Sequence, residues 1–206
     1  MTDSFPYGLV AAAAYVIGSI PTGAIVARLY RNVDLTRVGS ERTGATNTTR
    51  ALGLGAGIVV LVGDFAKGGV AVWVAQYLVG SPGAQGLALL CAVVGHNRSL
   101  FLLGRGGRGV LTGLGGLAAA STGVFIVGCL TGCLVAGASR YISLGSIGGA
   151  LATIVAVAVG YGSGTIAPEF ALAVAATALI VLAAHSDNIA RIREGKERRL
   201  GQRTGN

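Results

Sequence analysis

The chain has 206 residues, of which 52% are hydrophobic and 12% charged, and its mean hydropathy is +0.70. Soluble domains carry about 25% charged residues, so this composition excludes a water-soluble globular enzyme and indicates an integral membrane protein. The net charge of +8 falls in short connectors, and no basic soluble domain exists to bind nucleic acid.

Apolar runs cover residues 8–29, 51–80, 85–95, 109–120, 121–138, 144–162 and 166–184. A spanning helix needs about 20 residues, range about 17–25, so the runs near 90 and 115 are short. The pattern predicts an all-α polytopic bundle of about seven transmembrane helices, some of them short. Five or six spans result if the short runs are re-entrant. The chain reads as a single domain, 1–206, with a basic tail over 190–206. The first charge is Asp3 and no basic stretch precedes the first run, so that run is expected to be retained rather than cleaved. The 35 glycines suit close approach of helix backbones in lipid. Cys91, Cys129 and Cys133 lie in apolar runs with no His or carboxylate beside them. They read as small buried hydrophobes.

Fifteen of the sixteen Lys and Arg fall in 28–50, 98–108, Arg140 and 191–203, and the sixteenth is Lys67. The connectors near 81–84, 120–122 and 161–169 carry none. If seven segments alternate from an outside N-terminus, every basic cluster and the C-terminus fall in the cytoplasm, as the positive-inside rule requires. The same clusters would help hold anionic lipid.

Four polar clusters then share that membrane face. VGSERTGATNTTR, residues 38–50, carries the hydroxyls of Ser40, Thr43, Thr46, Thr48 and Thr49, the amide of Asn47, and Arg42 and Arg50. GDFAKGG, residues 63–69, places Asp64 and Lys67 three apart on one helical face, a spacing that allows an ion pair within the span. GHNRSLFLLGRGGRG, residues 95–109, ends in a Gly-rich loop with Arg105 and Arg108 just before a helix start. Backbone N–H groups there attract anions, and planar Arg forks suit phosphate. A cytoplasmic turn would need no more than this either. The fourth cluster is split: its first part, SRYISLGSIGG, residues 139–149, puts Ser143 and Ser146 at a helix start, where capping is the default role. HSDNIARIREGKERR, residues 185–199, brings His185 and Asn188 onto one face. Together these clusters predict a site for a phosphate compound, or two, that also touches lipid. No P-loop, paired carboxylates or zinc spacing is present, so no cofactor and no metal are expected.

These pieces, in order, resemble the PlsY family of acyl-phosphate-dependent glycerol-3-phosphate acyltransferases of bacterial membranes. The matching stretches are GSIPTGAIVARL (18–29), VDLTRVGSERTGATNTTRALG (33–53), GDFAKGG, GHN (95–97), GRGGRGVLT (104–112), SRYISLGS (139–146) and HSDNIARIREGKE (185–197). The resemblance implies transfer of a fatty acyl group from acyl-phosphate to the sn-1 hydroxyl of glycerol 3-phosphate. The products are lysophosphatidic acid and phosphate, in phospholipid synthesis at the bacterial inner membrane, with the site facing the cytoplasm. The residues expected at the chemistry are His185, Asn188, Ser40 and Arg108. Those expected to bind substrate are Thr46, Asn47, Arg50, His96, Asn97, Gly106, Gly107, Gly109, Ser143 and Ser146. Asp187 is the one carboxylate expected near either His, which disfavours a Ser/His/Asp triad. Three places depart from the usual family motifs. GSERTGATN replaces GSGNxGATN, GGRG replaces GGKG, and Arg98-Ser99 follows GHN where an aromatic and Pro are usual. A same-fold paralogue with another acceptor or donor, or a non-catalytic binder of phospholipid precursors, are the alternative readings.

Overall fold

Residues 4–202 are described in a computed structural model; the expectation drawn from Asp3 and the last four residues of the tail lie outside them. The first apolar run breaks at Pro21, which has no N–H to continue a helix. Its two parts are α1 (Ser4–Ser19) and α2 (Thr22–Arg31). The break frees carbonyls that distant side chains satisfy. Ser99 Oγ donates to Ser19 O at 2.6 Å and Lys67 Nζ to Ile20 O at 2.8 Å. The remaining helices are α3 (Ala45–Leu52), α4 (Leu54–Leu78), α5 (Pro82–Asn97), α6 (Val110–Ala120), α7 (Thr122–Ser139), α8 (Ile142–Gly162), α9 (Pro168–Ala183) and α10 (Ser186–Arg193).

Every apolar run becomes helix, but not every helix is long enough to cross on its own. Four spans meet length and apolarity: Phe5–Arg31, Leu54–Leu78, Thr122–Ser139 and Ile142–Gly162. A fifth follows if Pro168–Ala183 and Ser186–Arg193, bent by 47°, form one span. Helix α5 has 16 residues and α6 has 11. At about 1.5 Å per residue they reach roughly 24 and 17 Å, less than the hydrocarbon thickness of about 30 Å.

Helix α5 is the centre of the bundle and touches α1, α4, α6 and α9. Its Ala84, Ala88, Leu89, Ala92 and Val93 are fully buried. Small residues let the backbones close in: a Cβ on Gly115 of α6 would collide with the Phe65 carbonyl oxygen of α4. Cys133 is exposed and Cys91 and Cys129 are half-buried, which corrects the expectation of buried thiols. For Cys129 and Cys133 the cause is the position of α7, which contacts α6 and α8 and turns Ile126, Val127, Leu130 and Leu134 outward.

Candidate active site

A short polar connector needs an internal brace to keep one shape, and Asn47 provides it from α3. Its Nδ2 donates to Val38 O at 2.9 Å and Arg42 O at 2.8 Å, and its Oδ1 accepts the Ser40 N–H at 3.1 Å. Asn47 is buried and its hydrogen bonds go to the loop backbone, so it holds the loop that presents Ser40 and Arg42. Those two residues, with Thr46 and Arg50, line a cavity of about 620 Å³.

The far wall of the cavity comes from α4 and α5. Asp64 Oδ1 lies 2.8 Å from Lys67 Nζ and 3.6 Å from His96 Nδ1, and all three side chains are buried. The expected i, i+3 pair is therefore present, and it has a third member. Asp187 is not the only carboxylate near a His, because the contact of α4 with α5 brings Asp64 beside His96. Asp64 and His96 line the cavity. Gly107 packs on the His96 ring, where a Cβ would collide with Nε2. Gly106 and Gly107 are buried and serve this close approach. Neither they nor Asn97 line the cavity, whereas Gly109 does. Asn97 Oδ1 has no hydrogen-bond partner among the described residues.

The rim is a charged network. Arg108 Nη2 donates to Asp187 Oδ2 at 2.7 Å and Arg108 Nε to Ala184 O at 3.2 Å. Arg191 bridges Asp187 at 3.1 Å and Glu197 at 2.8 Å. Glu197 Oε1 also accepts from Asn188 Nδ2 at 2.7 Å and Ser143 Oγ at 2.8 Å. Burial pushes the Glu197 carboxyl up, but the hydrogen bonds from Arg191, Ser143 and Asn188 outweigh it and hold the pKa below the usual carboxylate value. Burial lowers the Arg108 pKa, against the pull of Asp187. Ser143 and Ser146 are not caps. Helix α8 begins without a side-chain cap, Ser143 faces Glu197, and Ser146 Oγ donates to Ile142 O at 3.0 Å. Glu197 is the residue that sequence reasoning passed over. Gly195, in the left-handed region at φ 69°, turns the chain back so that a tail residue reaches the helices.

His185 is buried and its Nδ1–H donates to Val181 O at 2.7 Å. That bond fixes the tautomer in the neutral ring and leaves Nε2 as the acceptor nitrogen. His185 and Asn188 both line the cavity, as do Arg108, Ser143 and Ser146. A second, apolar slot of about 220 Å³ is lined by α6, α7, α8 and α9 and shares Val110, Ile142 and Ser146 with the polar cavity.

The family described as glycerol-3-phosphate acyltransferase matches residues 8–195. The chain belongs to the glycerol-3-phosphate acyltransferase family. A glycerol-3-phosphate acyltransferase of Thermus thermophilus is 43% identical, with 92% of this chain and 93% of the relative covered. One from a Thermoanaerobacter species is 37% identical, with 95% and 96% covered. Crystallised PlsY, an integral membrane glycerol 3-phosphate acyltransferase in its glycerol 3-phosphate form, superposes with a TM-score of 0.86 at 32% identity, over 95% of this chain and 96% of the other.

As a member of this acyltransferase family, the chain accommodates its three motif departures without filling the cavity. Glu41 is exposed, at φ 56° in the turn closed by its N–H to Val38 O, and it does not line the cavity, while Arg42 does. Ser99 satisfies the carbonyl freed by the Pro21 break. Arg108 takes the place of the usual Lys and spends two of its nitrogens on Asp187 and Ala184.

Proposed function

We propose that this acyltransferase passes a fatty acyl group from acyl-phosphate to the sn-1 hydroxyl of glycerol 3-phosphate, giving lysophosphatidic acid and phosphate. One observation carries the reading: the polar cavity and the apolar slot share a wall at Val110, Ile142 and Ser146. A donor with a phosphate head and an alkyl tail fits such a junction. Arg42, Arg50 and Arg108 and the hydroxyls of Ser40, Thr46 and Ser143 supply anion donors on the polar side.

The chemistry follows from activation of the donor. Acyl-phosphate is a mixed anhydride, so the site needs alignment and charge stabilisation more than a strong nucleophile. The glycerol hydroxyl oxygen attacks the carbonyl carbon, the bond from that carbon to the phosphate oxygen breaks, and phosphate leaves with the electron pair. His185 Nε2 or a substrate phosphate takes the hydroxyl proton. Asp187 is engaged by Arg108 and Arg191, which leaves no triad on His185. Arg108 and Asn188 hold the leaving phosphate, and Ser40, Thr46 and Arg50 hold the acceptor. The distribution of Lys and Arg supports an outside N-terminus and a site open to the cytoplasm, and the kinship to bacterial acyltransferases supports a bacterial inner-membrane location.

Ser146→Trp would close the shared wall. It is expected to raise the KM for palmitoyl-phosphate with little change in the KM for glycerol 3-phosphate, and an unaltered palmitoyl-phosphate KM contradicts the reading. A His185→Ala enzyme with wild-type rate and pH profile would remove His185 as the proton acceptor.

A further inference from the structure

The family match ends at residue 195, yet the cavity wall continues beyond it. Leu200, Gly201 and Gln202 line the cavity alongside His185 and Asn188. The segment is tied down at two places. The Leu200 N–H donates to Arg140 O at 2.7 Å. The Arg199 guanidinium lies 5.7 Å from the centroid of the Tyr141 ring and its Nε donates to Tyr141 Oη at 3.3 Å. Arg50 Nη2 reaches Arg198 O at 3.5 Å. The turn is closed internally as well, with Gln202 Oε1 accepting the Arg199 N–H at 2.8 Å. Its anchors come from the α7–α8 junction and from α3, and both α3 and α8 line the cavity.

We propose that residues 199–202 form a strap over the polar cavity that keeps bulk water from the acyl donor. The inference rests on the acyl-phosphate reading above. A site that presents an activated carbonyl to a hydroxyl presents it equally to water. Water attack on that carbon breaks the same bond to the phosphate oxygen. It gives a fatty acid and phosphate, with the water proton passing to phosphate or solvent. Exclusion of water by a closed wall suppresses this side reaction. The strap therefore governs how the acyl group is partitioned between glycerol 3-phosphate and water.

The test measures free fatty acid and lysophosphatidic acid formed from palmitoyl-phosphate in the presence of glycerol 3-phosphate. Three proteins are compared: the full chain, a chain ending at Arg198, and Leu200→Pro, which removes the N–H that holds the strap to Arg140. The strap predicts a several-fold rise in the ratio of fatty acid to lysophosphatidic acid in both variants. A segment that only supports the fold would lower both products together and leave the ratio unchanged. That result, in either variant that retains turnover, overturns the proposal. A truncated chain too unstable to assay leaves Leu200→Pro, and Arg199→Ala beside it, to give the same ratio. Full-length protein that forms no lysophosphatidic acid overturns the acyl-phosphate reading itself, and the strap with it.

Discussion

Two charged clusters border the cavity and use their charges differently. Asp64, Lys67 and His96 are buried between the helices, with Asp64 and His96 reaching the cavity wall, and Lys67 donates a hydrogen bond to the Ile20 carbonyl beside Pro21. This cluster ties α4 to α5 and to the α1–α2 break. Arg108, Asp187 and Arg191 are partly exposed around a buried Glu197 side chain, and each carboxylate is shared by two or three donors. In the first cluster the cation does not line the cavity, since Lys67 is taken up by Asp64 and the Ile20 carbonyl. The second keeps charged donors at the rim, where the phosphate of the proposed substrates would compete for them. Residue type alone does not separate lock from site; burial and the number of partners do.

The comparison breaks most sharply at Lys67. Lys67→Met strands Asp64 in the helix interior, and removing one partner of a buried pair costs about 3–5 kcal/mol. Thermal unfolding in detergent should show the loss, with partial recovery in the Asp64→Asn/Lys67→Met double variant. Arg108→Ala should instead spare most of the stability and lower kcat/KM by about 10²–10³-fold, the usual effect of removing one charge-stabilising donor. Arg108→Lys keeps the charge without the planar fork and should fall between the two in steady-state kinetics.

Glu197 sharpens the contrast through pH. Its folded pKa is held below the ordinary value of 4.5, so its stabilisation is fully present above that value. It is lost as pH falls from there through the folded pKa. Melting temperature measured from neutral to acid pH should drop on that limb, and Glu197→Gln should flatten the drop. The smallest effect is expected at Glu41. Glu41→Gln alters an exposed turn away from the cavity and should leave kcat/KM for glycerol 3-phosphate within about twofold.

The parts of the fold that depend on local pattern are legible in the chain. Apolar runs mark the helices, and i, i+3 spacing pairs Asp64 with Lys67. The third member, His96, is hidden from the sequence because it lies on another helix, and its approach to Asp64 is a matter of packing. Glu197 is hidden by the turn at Gly195, which brings a tail residue under Ser143 and Asn188. Capping is the default role of a hydroxyl near a helix start, as at Ser143 and Ser146, and it is the resemblance that points to them as substrate-binding; both line the cavity. Asn47 shows the same ambiguity. An amide suits a phosphate and suits three backbone groups, and only its partners show that it clamps the loop.

The most direct measurement is phosphate release by the purified protein from palmitoyl-phosphate, with and without glycerol 3-phosphate and with palmitoyl-CoA as the alternative donor. The account predicts phosphate release that depends on glycerol 3-phosphate, lysophosphatidic acid as the product, and no product from palmitoyl-CoA. Folded protein that releases no phosphate from palmitoyl-phosphate, or that makes lysophosphatidic acid from palmitoyl-CoA alone, would contradict it.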